Sequence, residues 1–289
     1  MGAADLGRLV LLAAVWGLAF VFIRVAVVPL GPFALVELRL AIAVAAMLAY
    51  LKWVGVALHG AGRWRKYLVV ALFNSAVPFT LIAFAQQELA ASYTVILVST
   101  APLWAALLAA ALLDEPLGAR RAGGLLLGIA GVALLVGWDP AGIAPPVWAI
   151  AFALVAAGLY AVAGVYTRLA AYDIPPLATA AGSQAVAAFV LLPFVALAPP
   201  AAVPTPLEWA NVLALALASS ALAFILYFRL IRDVGPVKTL TVNFLTPIFG
   251  VGGGALLLGE RITANMIAGT VLVLLGTALV LGVAPRAGP

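Results

Sequence analysis

The sequence predicts an all-α integral membrane protein of ten transmembrane helices, built as two inverted five-helix repeats. Three observations carry this. Apolar runs of membrane-spanning length follow one another along the whole chain, Lys and Arg gather in alternate links, and the second half repeats the first at a nearly fixed spacing. The chain of 289 residues is 66% hydrophobic and 9% charged, with a mean hydropathy of +1.23. A soluble domain carries about 25% charged residues, so that class is excluded.

A spanning helix needs roughly 20 mainly apolar residues. Ten such runs are read at about 6–28, 31–51, 67–87, 89–113, 121–137, 146–168, 175–198, 207–231, 236–258 and 264–283. Gly, Pro and charged residues mark the links, as in Pro29-Leu30-Gly31-Pro32 and Asp139-Pro140. The first run is expected to stay as a helix, because a cleavable signal core is only about 7–15 residues long. There is no Cys, so no disulfide or thiolate site, and the single His59 lies in a polar link.

The charges give orientation. Arg8, Lys52, Arg63, Arg65, Lys66, Arg120, Arg121, Arg168, Arg229, Arg232, Lys238 and Arg286 all fall on one side, 12 of the 15 basic residues. Basic links stay cytoplasmic. Both termini are therefore expected inside, and the net charge of +5 reflects topology rather than nucleic-acid binding.

The repeat divides the chain into 1–140 and 141–289. Pro102, Glu115, Gly124 and Gly131 recur 145 residues later as Pro247, Glu260, Gly269 and Gly276, and Asn74-Ser75 as Ser219-Ser220. Nearer the N-terminus the offset is 144: Arg24 matches Arg168, and Pro32 matches Pro176. An odd number of spans per half makes the halves enter the membrane in opposite senses. That arrangement belongs to alternating-access transporters, with the substrate site at midplane between the repeats.

Within the spans, Pro102 and Pro247 are candidate hinges. Each lacks an N–H and frees the carbonyl four residues earlier, Val98 and Asn243. At 100° per residue, polar and aromatic stripes select a candidate cavity lining of Trp16, Phe20, Asn74, Pro78, Tyr93, Thr100, Trp104, Tyr160, Asn243, Thr246 and Tyr227. Such stripes avoid lipid, and they serve helix packing as well as ligand contact. Glu37 and Arg39 are the intramembrane charges, with Arg39 roughly 12 Å into its span at 1.5 Å per residue. Arg24 and Glu88, near outer ends, would snorkel or form a gate rim. Glu115 and Glu260 sit at helix ends, where a carboxylate can accept hydrogen bonds from helix-start N–H groups.

Val15-Trp16-Gly17-Leu18-Ala19-Phe20, Arg39, and the Ser-Thr-Ala-Pro102 and Leu-Thr246-Pro247 segments resemble the EamA-type drug/metabolite transporters. Within that superfamily the general run of the chain is most similar to YddG-type exporters of aromatic and other neutral amino acids. The halves are not equivalent, since Leu159-Tyr160 stands where the first half has Trp16, and Ser183 where it has Arg39. The resemblance implies a secondary transporter that exports small neutral solutes across a bacterial-type inner membrane, without cofactor or metal. Its partners would be a small-molecule substrate and the bilayer, with a monomer as the working expectation.

Other classes fit less well. A small multidrug-resistance exchanger wants a carboxylate in its first span, and 6–28 has none. A sugar-phosphate carrier wants several deep cations for phosphate. No nucleophile–base pair, metal-ligand set or phosphate-binding loop is present for an enzyme or an ATP-driven pump. Exporters of other metabolites or amphiphilic drugs, and a receptor or scaffold, stay open alternatives. So does the choice between proton coupling and facilitated transport.

Overall fold

In the computed structural model, residues 2–58, 61–112, 117–137, 145–171 and 173–282 are described. The chain is all-α over these residues. Eight helices are long and apolar enough to cross a membrane: α1 (Ala3–Val54), α2 (Trp64–Glu88), α3 (Ala91–Leu112), α4 (Ala119–Gly137), α5 (Val147–Ala170), α6 (Pro176–Leu197), α7 (Pro206–Val234) and α9 (Ala264–Leu281). Between α7 and α9 lies a shorter apolar helix, α8 (Val242–Leu258). The protein is a multi-pass membrane protein.

At 52 residues α1 would reach about 78 Å if straight, more than twice the roughly 30 Å hydrocarbon core. It is not straight. Gly31, with φ 71° and ψ 166°, leaves the helical region between Pro29 and Pro32. Only glycine adopts that conformation at low cost. The Pro29 carbonyl accepts from the N–H groups of Ala201 and Ala202.

Three further spans are irregular. In α2, residues Leu72–Ala76 form a wide i→i+5 turn just before Pro78. In α7, residues Ala214–Leu222 do the same. In α3 the helix stops at Val98 and restarts at Ala101, around a turn at Ser99 and Thr100. Pro102 follows that turn and Pro78 follows the α2 one, as expected of residues that cannot donate to the preceding turn. Pro247 behaves differently: α8 runs through it, and the break lies earlier, between Thr239 and Val242.

Glycines set the closest helix contacts. A Cβ on Gly17 of α1 would lie 2.5 Å from the Thr246 carbonyl and 2.7 Å from the Gly250 nitrogen of α8. A Cβ on Gly124 of α4 would lie 2.6 Å from the Gly276 carbonyl of α9, and one on Gly131 2.8 Å from the Gly269 carbonyl. The pairing 124 with 276 and 131 with 269 runs antiparallel. In lipid, where apolar burial drives little association, this backbone approach supplies the packing.

Candidate functional site

A cavity of about 850 Å³ lies among the helices. Trp16, Phe20 and Arg39 of α1, Asn74 and Phe79 of α2, Ser99 and Pro102 of α3, Tyr160 of α5, Ser183 of α6, Ser219 and Tyr227 of α7, and Asn243 and Thr246 of α8 all contribute to its wall. From this zone it extends to helix ends at Arg121, Arg168, Ile231 and Leu281. The wall is mostly apolar and aromatic. Trp16 and Tyr227 meet at 5.4 Å between ring centroids, and Phe79 and Tyr160 at 6.5 Å.

Arg39 is the deep charge. It is 7% exposed, and its Nε donates to the Ser220 hydroxyl at 2.8 Å. The guanidinium lies over the Phe79 ring, 3.6 Å from the centroid. Ser220 in turn donates to the Leu215 carbonyl five residues back, so the wide turn of α7 presents its oxygen to the arginine. No carboxylate pairs with Arg39 among the described residues. Glu37 is two residues away and does not line the cavity, and its Oε2 is buried without a partner among the described residues.

The far end of the bundle is tied shut by hydrogen bonds. Arg24 Nη1 donates to the Gln86 and Gln87 carbonyls, and Gln86 Nε2 donates to the Phe20 carbonyl at 2.9 Å. Glu260 accepts from the Ala91 N–H at 2.7 Å, the Ser92 N–H at 2.9 Å and the Ser92 hydroxyl. It therefore caps the start of α3, as its place at a helix end suggests. Glu115 lies outside the described residues.

The structure brings together Trp16, Phe20, Arg39, Asn74, Pro102, Tyr160, Tyr227, Asn243 and Thr246. Pro78, Tyr93, Thr100, Trp104 and Pro247 do not line the cavity. The Tyr93 hydroxyl donates to the Leu135 carbonyl and the Thr100 hydroxyl to the Leu97 carbonyl. Trp104 lies beside Gly158, where a Cβ would touch the indole at 3.7 Å. For Pro78 the reason is register. A wide turn adds a residue, so the side chain on the Asn74 face is five positions on, Phe79, rather than four, Pro78. In α3 the cavity takes a different face of the helix: Val98, Pro102, Ala105 and Ala109 keep regular helical spacing through the turn at Ser99–Thr100, and the stripe of Tyr93, Thr100 and Trp104 lies away from them.

Phe79, Ser99, Ser183 and Ser219 are among the lining residues that a uniform 100° reading does not select. Ser219 and Ser183 carry a sequence signal, their matches to Asn74 and Arg39 in the first half.

A bundle of membrane-length helices around a polar and aromatic internal cavity, tied at one end, is the architecture of a membrane transporter. The chain belongs to the EamA-like transporter family, whose sequence profile it matches over residues 8–137 and again over 147–282. It is 33% identical over 235 residues to an uncharacterized protein of Pseudomonas aeruginosa, PA1977, a match covering 78% of this chain and 75% of that one. It is also 33% identical over 121 residues to the chloroplastic WAT1-related protein At3g02690 of Arabidopsis thaliana. That match spans 42% of this chain and 29% of the relative. A solved crystal structure shares the fold with a TM-score of 0.71 at 20% identity, over the full length of both chains. A transporter family implies carriage rather than catalysis. Among the described residues no group of His, Cys, Asp and Glu is placed to hold a metal ion.

Proposed function

We propose that the protein exports small neutral organic solutes, chiefly neutral and aromatic amino acids, across a bacterial inner membrane by alternating access. The observation that carries this is the cavity wall. It offers Trp16, Phe20, Phe79, Tyr160 and Tyr227 to an apolar side chain, and Asn74, Asn243 and Arg39 to polar ends, and no carboxylate lines it among the described residues. Pockets of this kind bury aromatic groups well and orient them with a few polar contacts.

The mechanism read from this is a rocking of two inverted five-helix repeats with ten spans in all, α1 counting as two across Gly31. The reciprocal glycine contacts of α4 and α9 support the inversion, because exchanging the halves maps the 124–276 contact onto 269–131. With both termini cytoplasmic, as the basic residues argue, our reading of the cavity, which reaches the helix ends at Arg121 and Arg168, is an inward-open state. Here the outer end is tied by Arg24 and Glu260. The turns beside Pro102 and before Val242 would supply the bending.

The experiment is efflux of labelled amino acids from liposomes holding purified protein, with and without a pH gradient. Phe, Met and Leu should outcompete Asp and sugar phosphates. The opposite order refutes the reading, and efflux of amphiphilic drugs alone points to the drug-exporting alternative. Cysteines placed at Ala57 and Ala202 should label from the cytoplasm and the exterior respectively.

A further inference from the structure

We propose that Arg39 is the receptor for a carboxylate on the transported solute, so that the carboxylate is required and the amine is not. This rests on the cavity being the solute site. The guanidinium is held on two sides. Its Nε is engaged by Ser220, and one face is covered by Phe79. What remains is the in-plane edge with the Nη donors, and no described protein group accepts from them. That planar fork matches a carboxylate, which takes two parallel N–H donors.

A cation at this depth with no anionic partner is costly unless something supplies the charge. The described protein does not supply it: no carboxylate pairs with Arg39 among the described residues, and no described Asp or Glu lines the cavity. A solute carboxylate would bring it. Two further polar groups line the same cavity. The Tyr160 ring packs on Phe79, and Asn74 is on the same wide-turned helix. Neither side chain makes a hydrogen bond within the described protein. An ammonium has no lining carboxylate to meet, so its contribution is small. The aromatic walls make a carboxylate on an apolar body a better fit than a phosphate ester of a sugar.

The test uses proteoliposomes and four competitors against labelled Phe: unlabelled Phe, 3-phenylpropionate, phenethylamine and benzyl phosphate. We expect 3-phenylpropionate to compete as well as Phe and phenethylamine to be about tenfold weaker or worse, the span of a charged hydrogen-bonded contact. Arg39→Gln should weaken Phe and 3-phenylpropionate about tenfold or more and leave phenethylamine unchanged, and Arg39→Lys should recover part of the loss. Phenethylamine matching Phe in the unaltered protein, or benzyl phosphate exceeding both acids, overturns the assignment. So does an Arg39→Gln protein that folds and weakens all four alike. Should Arg39→Gln not fold, the competitor series on the unaltered protein decides alone. If Phe is not moved but labelled 3-phenylpropionate is, through Arg39, then the amino-acid reading fails and the carboxylate site stands. If Phe efflux is indifferent to Arg39→Gln, the reverse holds.

Discussion

Ser75 of α2 and Ser220 of α7 occupy aligned positions in the two halves, and their surroundings diverge. Both sit in wide i→i+5 turns and both are fully buried. The Ser220 hydroxyl accepts from Arg39 and donates to Leu215. The Ser75 hydroxyl has no hydrogen-bond partner among the described residues. The residue aligned with Arg39 is Ser183, which turns back to its own helix at the Ala180 carbonyl. Even the cause of the wide turn differs. In α2, Pro78 withholds a donor, whereas Ala223 stands at the aligned place in α7, where the Ser220 hydroxyl donates to the Leu215 carbonyl of its own turn and the Ser219 hydroxyl to the Val15 carbonyl of α1. At these aligned positions the wide turn is shared between the halves, and the charge stands in the first alone.

The largest expected effect comes from erasing that difference. Arg39→Ser makes the two sides alike and should lower transport about tenfold or more, by the value of a charged hydrogen bond. Adding Ser183→Arg moves the charge opposite Ser75. Partial recovery would show that the aligned sites are interchangeable, and no recovery would show that the first-half site is specific. Initial efflux rates measure both.

The next effect is on stability. Gly276→Ala puts a methyl 2.5 Å from the Gly124 carbonyl and 2.8 Å from the Gly128 nitrogen, both backbone atoms. Overpacking costs about 1–3 kcal/mol and outweighs the roughly 1 kcal/mol that Ala gains over Gly in a helix. Thermal unfolding in detergent should fall by a few degrees. Gly123→Ala, with open space around its Cβ, should not lower it.

Smaller still is Glu260→Ala. It removes the acceptor for the first two N–H groups of α3, worth about 1 kcal/mol for a helix cap. The same melting measurement detects it.

The smallest effect is Asp173→Asn. Lys66 holds this carboxyl by a hydrogen bond, with Arg63 adding charge attraction, so its pKa lies below the ordinary 3.8. The contribution is therefore present at neutral pH. It fades as pH falls below that ordinary value and vanishes below the lowered one. Exposed pairs are weak and screened by salt, so the melting point of Asp173→Asn should stay close to that of the unaltered protein at every pH.

Much of this was legible in the sequence, for physical reasons. Lipid demands long apolar helices, so the helices Ala119–Gly137 and Val147–Ala170 follow from composition alone. Gly31 between two prolines announced the break in α1. The cavity residues on regular helix, Trp16 and Phe20 on α1 and Tyr160 on α5, followed from 100° spacing. Two readings failed. Beyond the wide turn of α2 the spacing shifts, so Phe79 replaced Pro78: one inserted residue in a helical turn rotates every later side chain by about 100°, and the wide turn at Ser219–Ser220 has no proline to signal it. In α3 the face itself was misjudged, because the lining stripe of Val98, Pro102, Ala105 and Ala109 is regularly spaced but, Pro102 apart, carries only small apolar side chains that nothing in the sequence marks out.

The α4–α9 crossing can also be read as a seam. Gly124 meets Gly276 while Gly131 meets Gly269, so the two aligned pairs of glycines face each other in both directions. That is the pattern of an isologous contact between identical subunits, here made within one chain. Between identical subunits a single substitution would alter both contacts at once. In this chain Gly124→Ala alters one and leaves the Gly131–Gly269 contact as it was, so each half of the seam can be tuned alone.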